Sequence, residues 1–532
     1  MNDIASGQSV GSLWASAVRA WPDRPFLVWL DADGSRQEFS YREFDCRINR
    51  AANALAEMGV GARDLVVLQL RNSPDFVTCF FALAKLGAVA VPIAVCASPA
   101  EVARMAAACS PAWTIADTSR VDAHRALHRG GGADGRPHLV EVGGTGSHAD
   151  TLDFAAACRQ ASPLPPGGEP VGSDALAELL HTSGTTADPK GVMVTQANLV
   201  FSGHYGVWEM GLRPDDRLFT PMPAWHSNFQ LAALMPVLVA GACLILAEGY
   251  SAHRFWAQVR DSDATLIQII SMIVRTLLLQ PPNPLDSANR VRDALFFMGL
   301  SDAEKDAFEQ RFGVRLLNTY GSTESIGWAL TDPPVGERRW PSVGRPGLGY
   351  EVGVFGTDGH ELAAGKVGEL RIKGTPGSSL MAGYYRDAAE TERVLLPGGW
   401  LRTDDFGYRD PDGWFYYVGR DHDVIKRSGE NISAAELEQV LTAHPEIAEA
   451  AVIGVPDPIR DEAVKAFVRL VPGSGLSVQD VIDYCRRELI DFKVPSEVEF
   501  VDDFPRTQSM KIEKRLLRRP VPAMRPPTEV EK

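Results

Sequence analysis

The sequence predicts an α/β fold, and three observations support this. From Ser40 to about Pro281, apolar segments of helix length alternate with short Val/Ile/Leu runs such as residues 64–70 and 265–271, which is the pattern of layered α/β proteins. The chain has 532 residues, more than a single hydrophobic core serves, so at least two domains are expected. After Ser342 the pattern changes to short β-like runs, which indicates a smaller β-rich subdomain.

Two apolar stretches are long enough to be tested against a membrane span. Residues 80–97 are interrupted by Lys85 and Pro92, and residues 231–247 contain Pro236. Each stretch is near or below the roughly 20 residues that cross a bilayer. We therefore predict no membrane span, and in both places a buried helix followed by a buried strand.

Two stretches and the end of the chain depart from this alternation. Residues 129–150 are rich in glycine and histidine and residues 161–172 in proline and glycine, so both are predicted to be surface loops. The last part of the chain mixes helix and strand patterns, which predicts an independent α+β domain and a division into residues 1–420 and 421–532. The tail from Pro520 is proline-rich and polar, and it is predicted to be disordered.

The composition disfavours several kinds of binding and metal site. With 53 basic and 68 acidic residues the formal net charge is −15, which disfavours nonspecific binding to nucleic acid or to anionic membranes. Seven cysteines are scattered without a C-x-x-C pair, so neither a disulfide framework nor a zinc site is predicted. No basic region followed by an apolar run begins the chain, so a cytoplasmic location is expected. A protein acting on small molecules is the default expectation. The oligomeric state is left open, and a dimer is compatible with the sequence.

Residues 181–191 read HTSGTTADPKG between two apolar runs. Gly184 and Gly191 allow the backbone to approach an anion closely, while hydroxyl groups and Lys190 supply donors and positive charge. The spacing of a Walker A loop is absent. Short clusters of this composition are commonly plain turns, but the length and the terminal Lys-Gly favour a polyphosphate loop. Its candidate binding residues are Thr182, Ser183, Gly184, Thr185, Thr186 and Lys190.

Four further segments contain candidate functional residues. Glu324 follows a Gly-Ser-Thr turn and offers a carboxylate suited to a Mg²⁺ ion that itself binds phosphates. Asp405 has two oxygens that can accept both hydroxyls of a ribose. Arg420 lies in a basic segment at the start of the second predicted domain, and Lys511 lies on a short loop near the end. Taken singly, Glu324 would be an acid at a helix start and Asp405 an acid in a turn. Arg420 would belong to a solvated basic hairpin, and Lys511 would be a cation on a helix surface.

Together and in this order, the five segments resemble the adenylate-forming enzymes, which include acyl-CoA synthetases, adenylation domains of nonribosomal synthetases and luciferases. The resemblance covers nearly the whole chain, and residues 304–317, 337–351 and 459–468 are most similar to the carnitine/crotonobetaine CoA ligase branch. It implies a large N-terminal domain of two α/β lobes plus a β-barrel-like subdomain. It also implies a small, mobile α+β C-terminal domain that swivels about a hinge at His422.

The resemblance implies an acid-thiol ligase with two steps, using ATP, Mg²⁺ and coenzyme A on a small-molecule carboxylic acid. First the acid attacks the α-phosphate of ATP, giving an acyl-adenylate and pyrophosphate; then the thiol of CoA attacks the acyl carbonyl and releases AMP. Lys511 would bridge the carboxylate and the α-phosphate and stabilise charge in the transition state. Thr323 would contact the α-phosphate and Glu324 the metal, and His226 would gate the acyl and thiol paths, although a lone histidine is also compatible with a packed core residue.

The remaining implied roles concern binding. Adenine would be bordered by Gly299, Leu300, Ser301, Asn318, Thr319, Tyr320 and Gly321, and ribose would be bound by Asp405 and Arg420. The pantetheine tunnel would be lined by Ser428, Gly429 and Glu430. The acyl pocket would contain Trp225, Phe229 and Trp328, with Phe201, Tyr205 and Trp208 nearby. These aromatic residues suggest a bulky apolar acid or, since aromatic rings also cage quaternary ammonium groups, a carnitine-like one; they are equally compatible with a plain core.

Three positions depart from the family's usual residues. Asp404 replaces a glycine and adds negative charge near the ribose, which would repel nucleotide if poorly screened. His422 replaces Asp or Lys at the hinge, and Met510 replaces a glycine before Lys511. An enzyme that only thioesterifies an adenylate supplied by a partner ligase would fit these changes, but the retained lysine, metal carboxylate and phosphate loop favour a full ligase. An enzyme that loads a carrier protein and a non-catalytic sensor are also compatible with the motifs.

Overall fold

The computed structural model describes residues 5, 7–125, 127–128, 138–144, 150–182, 190–297, 299–356, 358–420, 424–428, 430–505, 512 and 514–517. The described residues form two units, one up to residue 420 and one from residue 424 onward. Each unit has its own buried apolar cluster.

The first unit contains a nine-stranded sheet whose central strands are parallel. Every residue of the strands at 243–247 and 266–270 is buried, as expected for a parallel sheet covered on both faces. The strand predicted within residues 265–271 is thus confirmed. In spatial order the strands are Arg345–Pro346, Leu330–Thr331, Arg315–Tyr320, Asp293–Phe297, Leu266–Ile270, Arg217–Thr220, Cys243–Ala247, Pro25–Leu30 and Arg36–Ser40.

An eight-stranded sheet forms the second large layer of this unit. The helix Pro74–Leu86 ends at Gly87, whose φ of +69° favours glycine, and the buried strand Val89–Pro92 follows. Helix and strand are therefore confirmed within residues 80–97. In spatial order the strands are Gly383–Tyr384, Lys190–Thr195, Leu176–Thr182, Val89–Pro92, Leu65–Gln69, Trp113–Asp117, Leu139–Val142 and Leu152–Asp153.

The second apolar stretch, at residues 231–247, also follows its predicted order. A π-helical turn at Gln230–Leu234 continues into the helix Met235–Ala240, and the buried strand Cys243–Ala247 comes next. Among the described helices, none combines the length and the apolar character that a bilayer crossing requires.

The prediction of a surface loop over residues 129–150 is wrong in part. Leu139–Val142 forms a strand parallel to Trp113–Asp117, and all four of its residues are buried. A four-residue run, here Leu-Val-Glu-Val, suffices for a strand when a neighbouring strand and covering helices already exist, and the glycine and histidine around it concealed this run. The loop predicted at residues 161–172 is confirmed: the helix Phe154–Gln160 ends before it, and most of these residues are exposed.

A third sheet, antiparallel and five-stranded, confirms the β-rich texture after Ser342. Its strands are Glu351–Phe355, Gly368–Lys373, Leu395–Leu396, Trp400–Arg409 and Phe415–Arg420. The helices of the first unit are Val10–Ala20, Tyr41–Met58, Pro74–Leu86, Pro99–Cys109, Val121–Arg125, Phe154–Gln160, Gln196–Met210, Ser227–Phe229, Met235–Ala240, Phe255–Asp261, Ser271–Leu278, Asp302–Phe312 and Ala388–Val394.

The second unit mixes helices and strands, as the sequence predicts. Its sheet consists of Val424–Arg427, Glu430–Ser433, Ile447–Asp457, Asp461–Leu470 and Glu497–Phe500. Its helices are Ala434–Thr442, Val478–Glu488 and Lys514–Leu517. The predicted tail from Pro520 lies outside the described residues.

A fully buried histidine gives the first unit a sensitivity to acid. His124 is 0% exposed, and its Nε2 lies 2.7 Å from the Gln69 Oε1 atom. The amide nitrogen of Gln69 donates to the Ala94 carbonyl, so Oε1 faces the imidazole and the Nε2–H group donates to it. Burial lowers the pKa of His124 to about 4 from an ordinary 6.5, because the charged form is poorly solvated there.

Replacing this histidine should therefore reduce the loss of stability in acid. Its pKa is lower in the folded than in the unfolded chain, so the unfolded state binds more protons as pH falls from 6.5 toward 4, which costs up to about 3 kcal/mol of unfolding free energy. We expect the thermal midpoint to fall less between pH 7 and 5 in His124→Gln than in the unmodified protein. The exposed His253→Gln is the control, and equal losses in all three proteins would contradict the assignment.

Candidate functional site

The two ends of the predicted phosphate loop are fixed by a strand ladder. Leu176–Thr182 and Lys190–Thr195 are antiparallel, and Thr182 is directly opposite Lys190. Ser183, Gly184, Thr185 and Thr186 lie outside the described residues. The positions on either side of the predicted loop are thus neighbours, with Lys190 as the first residue of the returning strand.

The Lys190 side chain is largely buried between a carboxylate and an aromatic ring. It forms an ion pair with Glu390, and the exposed fractions of the two side chains are 11% and 16%. Its ammonium nitrogen lies 5.4 Å from the centroid of the Tyr384 ring, within the range of a cation–π contact. The predicted phosphate ligand is thus a cation already oriented by its surroundings.

Tyr384 links Lys190 to the predicted metal ligand. Its hydroxyl donates to the Glu324 Oε1 atom over 3.0 Å. The ring is fixed because Tyr384 pairs with Val192 and its backbone N–H donates to the Thr391 hydroxyl. Burial, followed by the nearby Glu324 charge, raises the pKa of Tyr384, so the phenol remains a donor at neutral pH. Lys190 and Glu324, far apart in sequence, therefore belong to one site.

A short 3₁₀ turn, Thr323–Ser325, presents the predicted phosphate and metal residues. The Thr323 hydroxyl donates to Ser227 Oγ over 3.2 Å, and the Glu324 carbonyl accepts from the backbone N–H of Met381. The turn ends at Ile326, which has a φ of +60°, a left-handed conformation that is costly for a β-branched residue. The turn thus holds the Glu324 backbone, while the Tyr384 hydroxyl contacts its side chain.

The segments predicted to border adenine lie at the carboxyl ends of two parallel strands. The strand Asp293–Phe297 is followed by the first group, Gly299, Leu300 and Ser301. The second group lies at the end of the neighbouring strand Arg315–Tyr320, which contains Asn318, Thr319 and Tyr320 and is followed by Gly321. Carboxyl ends of parallel strands are where open α/β sheets bind ligands. Ser301 also caps the helix Asp302–Phe312 by accepting from the Glu304 backbone N–H.

Two of the predicted adenine residues have side chains engaged inside the protein. Asn318, 4% exposed, donates to the Ser342 carbonyl, and Thr319, 3% exposed, donates to the Phe296 carbonyl. These side chains stabilise the strand end. We therefore expect contact with a base to come from the backbone there and from Tyr320 and Gly321.

The structure places the two predicted ribose ligands opposite each other. Asp405 and Arg420 are cross-strand partners in the antiparallel pair Trp400–Arg409 and Phe415–Arg420. Asp405 is 5% exposed and accepts from the Tyr320 hydroxyl over 2.7 Å. The side chain of Arg420 lies outside the described residues. The other oxygen, Oδ1, accepts from the Tyr417 hydroxyl over 3.4 Å. A carboxylate has about four lone-pair positions, so Asp405 can accept both bonds and still accept from a diol.

The charge of Asp404 is screened by arginine. Its Oδ2 atom lies 3.0 Å from the Arg393 Nη2 atom, so the repulsion of nucleotide that the sequence raises is opposed by a cation in contact. Asp404 has a φ of +56°, a backbone region that favours glycine and that aspartate tolerates better than most residues.

His226 caps the short helix Ser227–Phe229 by accepting from the Asn228 backbone N–H at Nδ1 over 3.1 Å. Its ring lies 5.8 Å from that of Trp225. Since Nδ1 accepts, the neutral imidazole has its proton on Nε2. His226 is half-buried and lies beside an aromatic ring. It immediately precedes Ser227, whose hydroxyl contacts Thr323.

The aromatic residues predicted around the acyl pocket are mostly buried. Phe229 is fully buried and Trp328 is 9% exposed, with its ring 4.5 Å from that of Phe297. Tyr205 donates its hydroxyl to the Trp328 carbonyl. Phe201, Tyr205 and Trp208 make successive tilted ring contacts along one helix, as core residues do.

Most of the predicted residues of the second unit lie outside the described part of the chain. They include Lys511, His422, Gly429 and Met510, together with the side chain of Glu430. Ser428 is half-buried, has a φ of +53°, and donates its backbone N–H to the Arg460 carbonyl. The roles assigned to these residues stay predictions.

Sequence reasoning missed Tyr384, Glu390, Arg393 and Ser227. Tyr384 belongs to a strand of two residues, too short for periodicity to reveal. Glu390 and Arg393 have the ordinary appearance of a charged helix face. The one available signal was the Gly-Tyr-Tyr run at 383–385, where a glycine precedes two aromatic residues.

Comparison with known proteins agrees with this geometry. The family model of AMP-binding enzymes matches residues 14–385, and that of the AMP-binding enzyme C-terminal domain matches residues 436–511. The crotonobetaine/carnitine–CoA ligase of Salmonella paratyphi A is 40% identical over 520 residues, which is 97% of this chain and 100% of the ligase.

Two solved structures match nearly the whole chain. A double mutant of o-succinylbenzoate CoA synthetase (MenE) from Bacillus subtilis, bound to a product analogue, has a TM-score of 0.83 and 25% identity, covering 96% of this chain and 98% of its own. The amide bond synthetase McbA from Marinactinospora thermotolerans has a TM-score of 0.83 and 26% identity, covering 95% and 99%. The resemblance drawn from the sequence motifs is thereby confirmed, and the chain belongs to the family of AMP-binding enzymes.

Proposed function

We propose that this enzyme is an acyl-CoA ligase that converts a carboxylic acid to its CoA thioester through an acyl-adenylate, with ATP giving AMP and pyrophosphate. The main supporting observation is the contact of one phenol, Tyr384, with both Lys190 and Glu324. A cation and a carboxylate oriented by the same buried group suit a triphosphate that is bound together with a divalent metal.

Two bond exchanges define the reaction. A carboxylate oxygen of the acid attacks the α-phosphorus of ATP, and the bond to the bridging oxygen breaks as pyrophosphate leaves. The CoA sulfur, having lost its proton, then attacks the acyl carbonyl, and AMP leaves with the anhydride oxygen. In the first exchange two anions must meet, so Lys511 is assigned the position between them, while Lys190 binds the outer phosphates and Asp405 the ribose.

The available donors fit Mg²⁺. Among the described residues, no group of three or more His, Cys, Asp and Glu is arranged to hold a metal. Mg²⁺ is commonly bound by one or two carboxylates together with substrate phosphates and waters, so the half-buried Glu324 is sufficient as the protein ligand. When bound, the metal neutralises phosphate charge. Tyr384 orients Glu324 for that role.

The acid that we propose first is carnitine-like. The relative that shares 40% identity is named for crotonobetaine and carnitine, and the half-buried Trp225 beside His226 offers an aromatic face of the kind that binds quaternary ammonium groups. Bulky apolar acids are the comparison set, since the surrounding aromatic residues also suit them.

The test uses the purified full chain with Mg²⁺-ATP, an acid panel and CoA. Release of pyrophosphate that depends on the acid, followed by an acyl-CoA product, is the expected result. Thioester formed only from an added acyl-adenylate would instead establish an enzyme of the second half-reaction alone. Pyrophosphate without CoA consumption would indicate another acceptor, so a carrier protein and an amine are included as acceptors. Absence of both half-reactions with every acid would refute the ligase.

We expect Tyr384→Phe to raise the Mg²⁺ concentration needed for half-maximal pyrophosphate release about tenfold, because a group that orients a metal ligand typically contributes 10- to 100-fold in affinity. The ring that faces Lys190 is retained, so ATP affinity measured without metal should change little. Tyr250→Phe, which removes a hydroxyl bonded to Thr276 elsewhere in the unit, is the control. An unaltered Mg²⁺ requirement in Tyr384→Phe would exclude this role.

A further inference from the structure

Four side chains of alternating charge connect the phosphate loop to the ribose motif. Lys190 pairs with Glu390, and Glu390 accepts from Arg393 at both oxygens, over 2.7 Å from Nε and 2.9 Å from Nη2. Arg393 in turn donates to both oxygens of Asp404, over 3.0 and 3.4 Å. Two cations and two anions thus form a continuous row whose formal charges cancel, and Arg402, which pairs with Glu369, approaches Asp404 to 3.9 Å at one end of it.

The row joins three separate elements of the first unit. Lys190 begins a strand of the eight-stranded sheet, whereas Glu390 and Arg393 lie one turn apart on the helix Ala388–Val394. Asp404 lies on the strand Trp400–Arg409, immediately before Asp405. A charge change at one end therefore affects both the proposed phosphate ligand and the proposed ribose ligand.

The inner pair is the one shielded from water. The Lys190 and Glu390 side chains are 11% and 16% exposed, against 39% and 31% for Arg393 and Asp404. A carboxylate in such surroundings needs a counterion, since an unpaired, poorly solvated charge is costly. With Arg393 present, Glu390 already has a forked partner, and the hydrogen bonds from Arg393 lower its pKa to about 2. Lys190 is then not required as the sole counterion of Glu390.

We infer that Glu390, Arg393 and Asp404 are positioning residues that keep Lys190 oriented and available for the triphosphate of ATP. Glu390 directs the ammonium group, Arg393 satisfies the charge of Glu390, and Asp404 fixes Arg393. An ammonium has three donors, so Lys190 retains its bond to Glu390 while donating to phosphate. This inference rests on the proposed function, because it takes Lys190 as the phosphate ligand.

The same arrangement explains why an aspartate is compatible with position 404. The left-handed backbone there would suit glycine, and a non-glycine residue in that region is costly. The forked contact with Arg393 offsets that cost. Under this inference Asp404 supports nucleotide binding through Arg393, which is the opposite of the repulsion that its charge alone suggests.

A double-mutant cycle on Arg393 and Glu390 tests the inference, with ATP dissociation constants measured by calorimetry and KM for ATP measured by pyrophosphate release. Arg393→Met leaves Glu390 with Lys190 as its one close cation among the described residues. Lys190 must then neutralise Glu390 and is less available to phosphate, so ATP affinity should fall about tenfold, in the range of measured coupling between contacting charges. Glu390→Gln removes the negative charge but keeps a side-chain oxygen that can accept from Lys190, so ATP affinity should stay within about threefold of the unmodified protein. The double variant should match Glu390→Gln.

Rescue by the second substitution is the decisive result. A merely structural role of Arg393 would not be repaired by Glu390→Gln, and kcat at saturating ATP should be retained in every variant. Arg393→Lys, which keeps the charge without the fork, should be intermediate. Asp404→Asn should weaken ATP binding about threefold because Arg393 loses a charged anchor. These two milder variants keep the test valid if Arg393→Met folds poorly.

Arg469→Met is the matched control, since Arg469 pairs with Glu449 over 2.7 Å at similar exposure in the second unit and should leave ATP affinity unchanged. A double variant as weak as Arg393→Met would overturn the inference and assign the effect to the charge of Asp404, which would keep only the longer contact of 3.9 Å with Arg402. Unchanged affinity in Arg393→Met, Arg393→Lys and Asp404→Asn would overturn it as well. If the unmodified chain binds no ATP, the proposed function itself fails, which is a distinguishable outcome.

Discussion

The position of the Tyr384 ring is the constraint on which the rest of the site depends. Tyr384 and Lys190 belong to strands of the eight-stranded sheet, whereas Glu324 follows a strand of the nine-stranded sheet. The phenol contacts both groups, and it is therefore where the two large layers of the first unit meet in the site. A shift of one layer against the other would therefore change the distance between the cation and the carboxylate.

The carboxylates of the site lie in a chain that is itself strongly negative. A chain with a net charge of −15 that acts on polyphosphate must limit the repulsion from its own carboxylates locally. Glu324 and Asp405 each accept from a tyrosine hydroxyl, of Tyr384 and Tyr320 respectively. Desolvation raises the pKa of both phenols, so they remain neutral donors that orient the two carboxylates toward a metal or a ribose.

The sequence permits prediction of the parts of the protein whose physics is local. Buried parallel strands such as Leu266–Ile270 appear as unbroken apolar runs, and the loop composition around Lys190 indicates phosphate because glycine and lysine together suit close approach to an anion. Asp405 and Arg420 were expected in one subsite, and they are cross-strand partners.

The missed features are those that arise only when distant segments meet. No local pattern could show that Glu390 would pair with Lys190, or that Arg393 would reach Asp404, since each contact joins different elements. The strand Leu139–Val142 was missed for a related reason, because its neighbours rather than its own length make it a strand. Tertiary pairing, which a single sequence does not display, decided all three.

The ladder between Asp405 and Arg420 has a mechanical consequence. Arg420 is the final residue of its strand and precedes the connection to the C-terminal unit, while its partner is the carboxylate assigned to the sugar. A displacement of that strand end is therefore transmitted to the backbone of Asp405 through the pairing of the two strands. A nucleotide held by Asp405 would in turn restrain the strand end at Arg420.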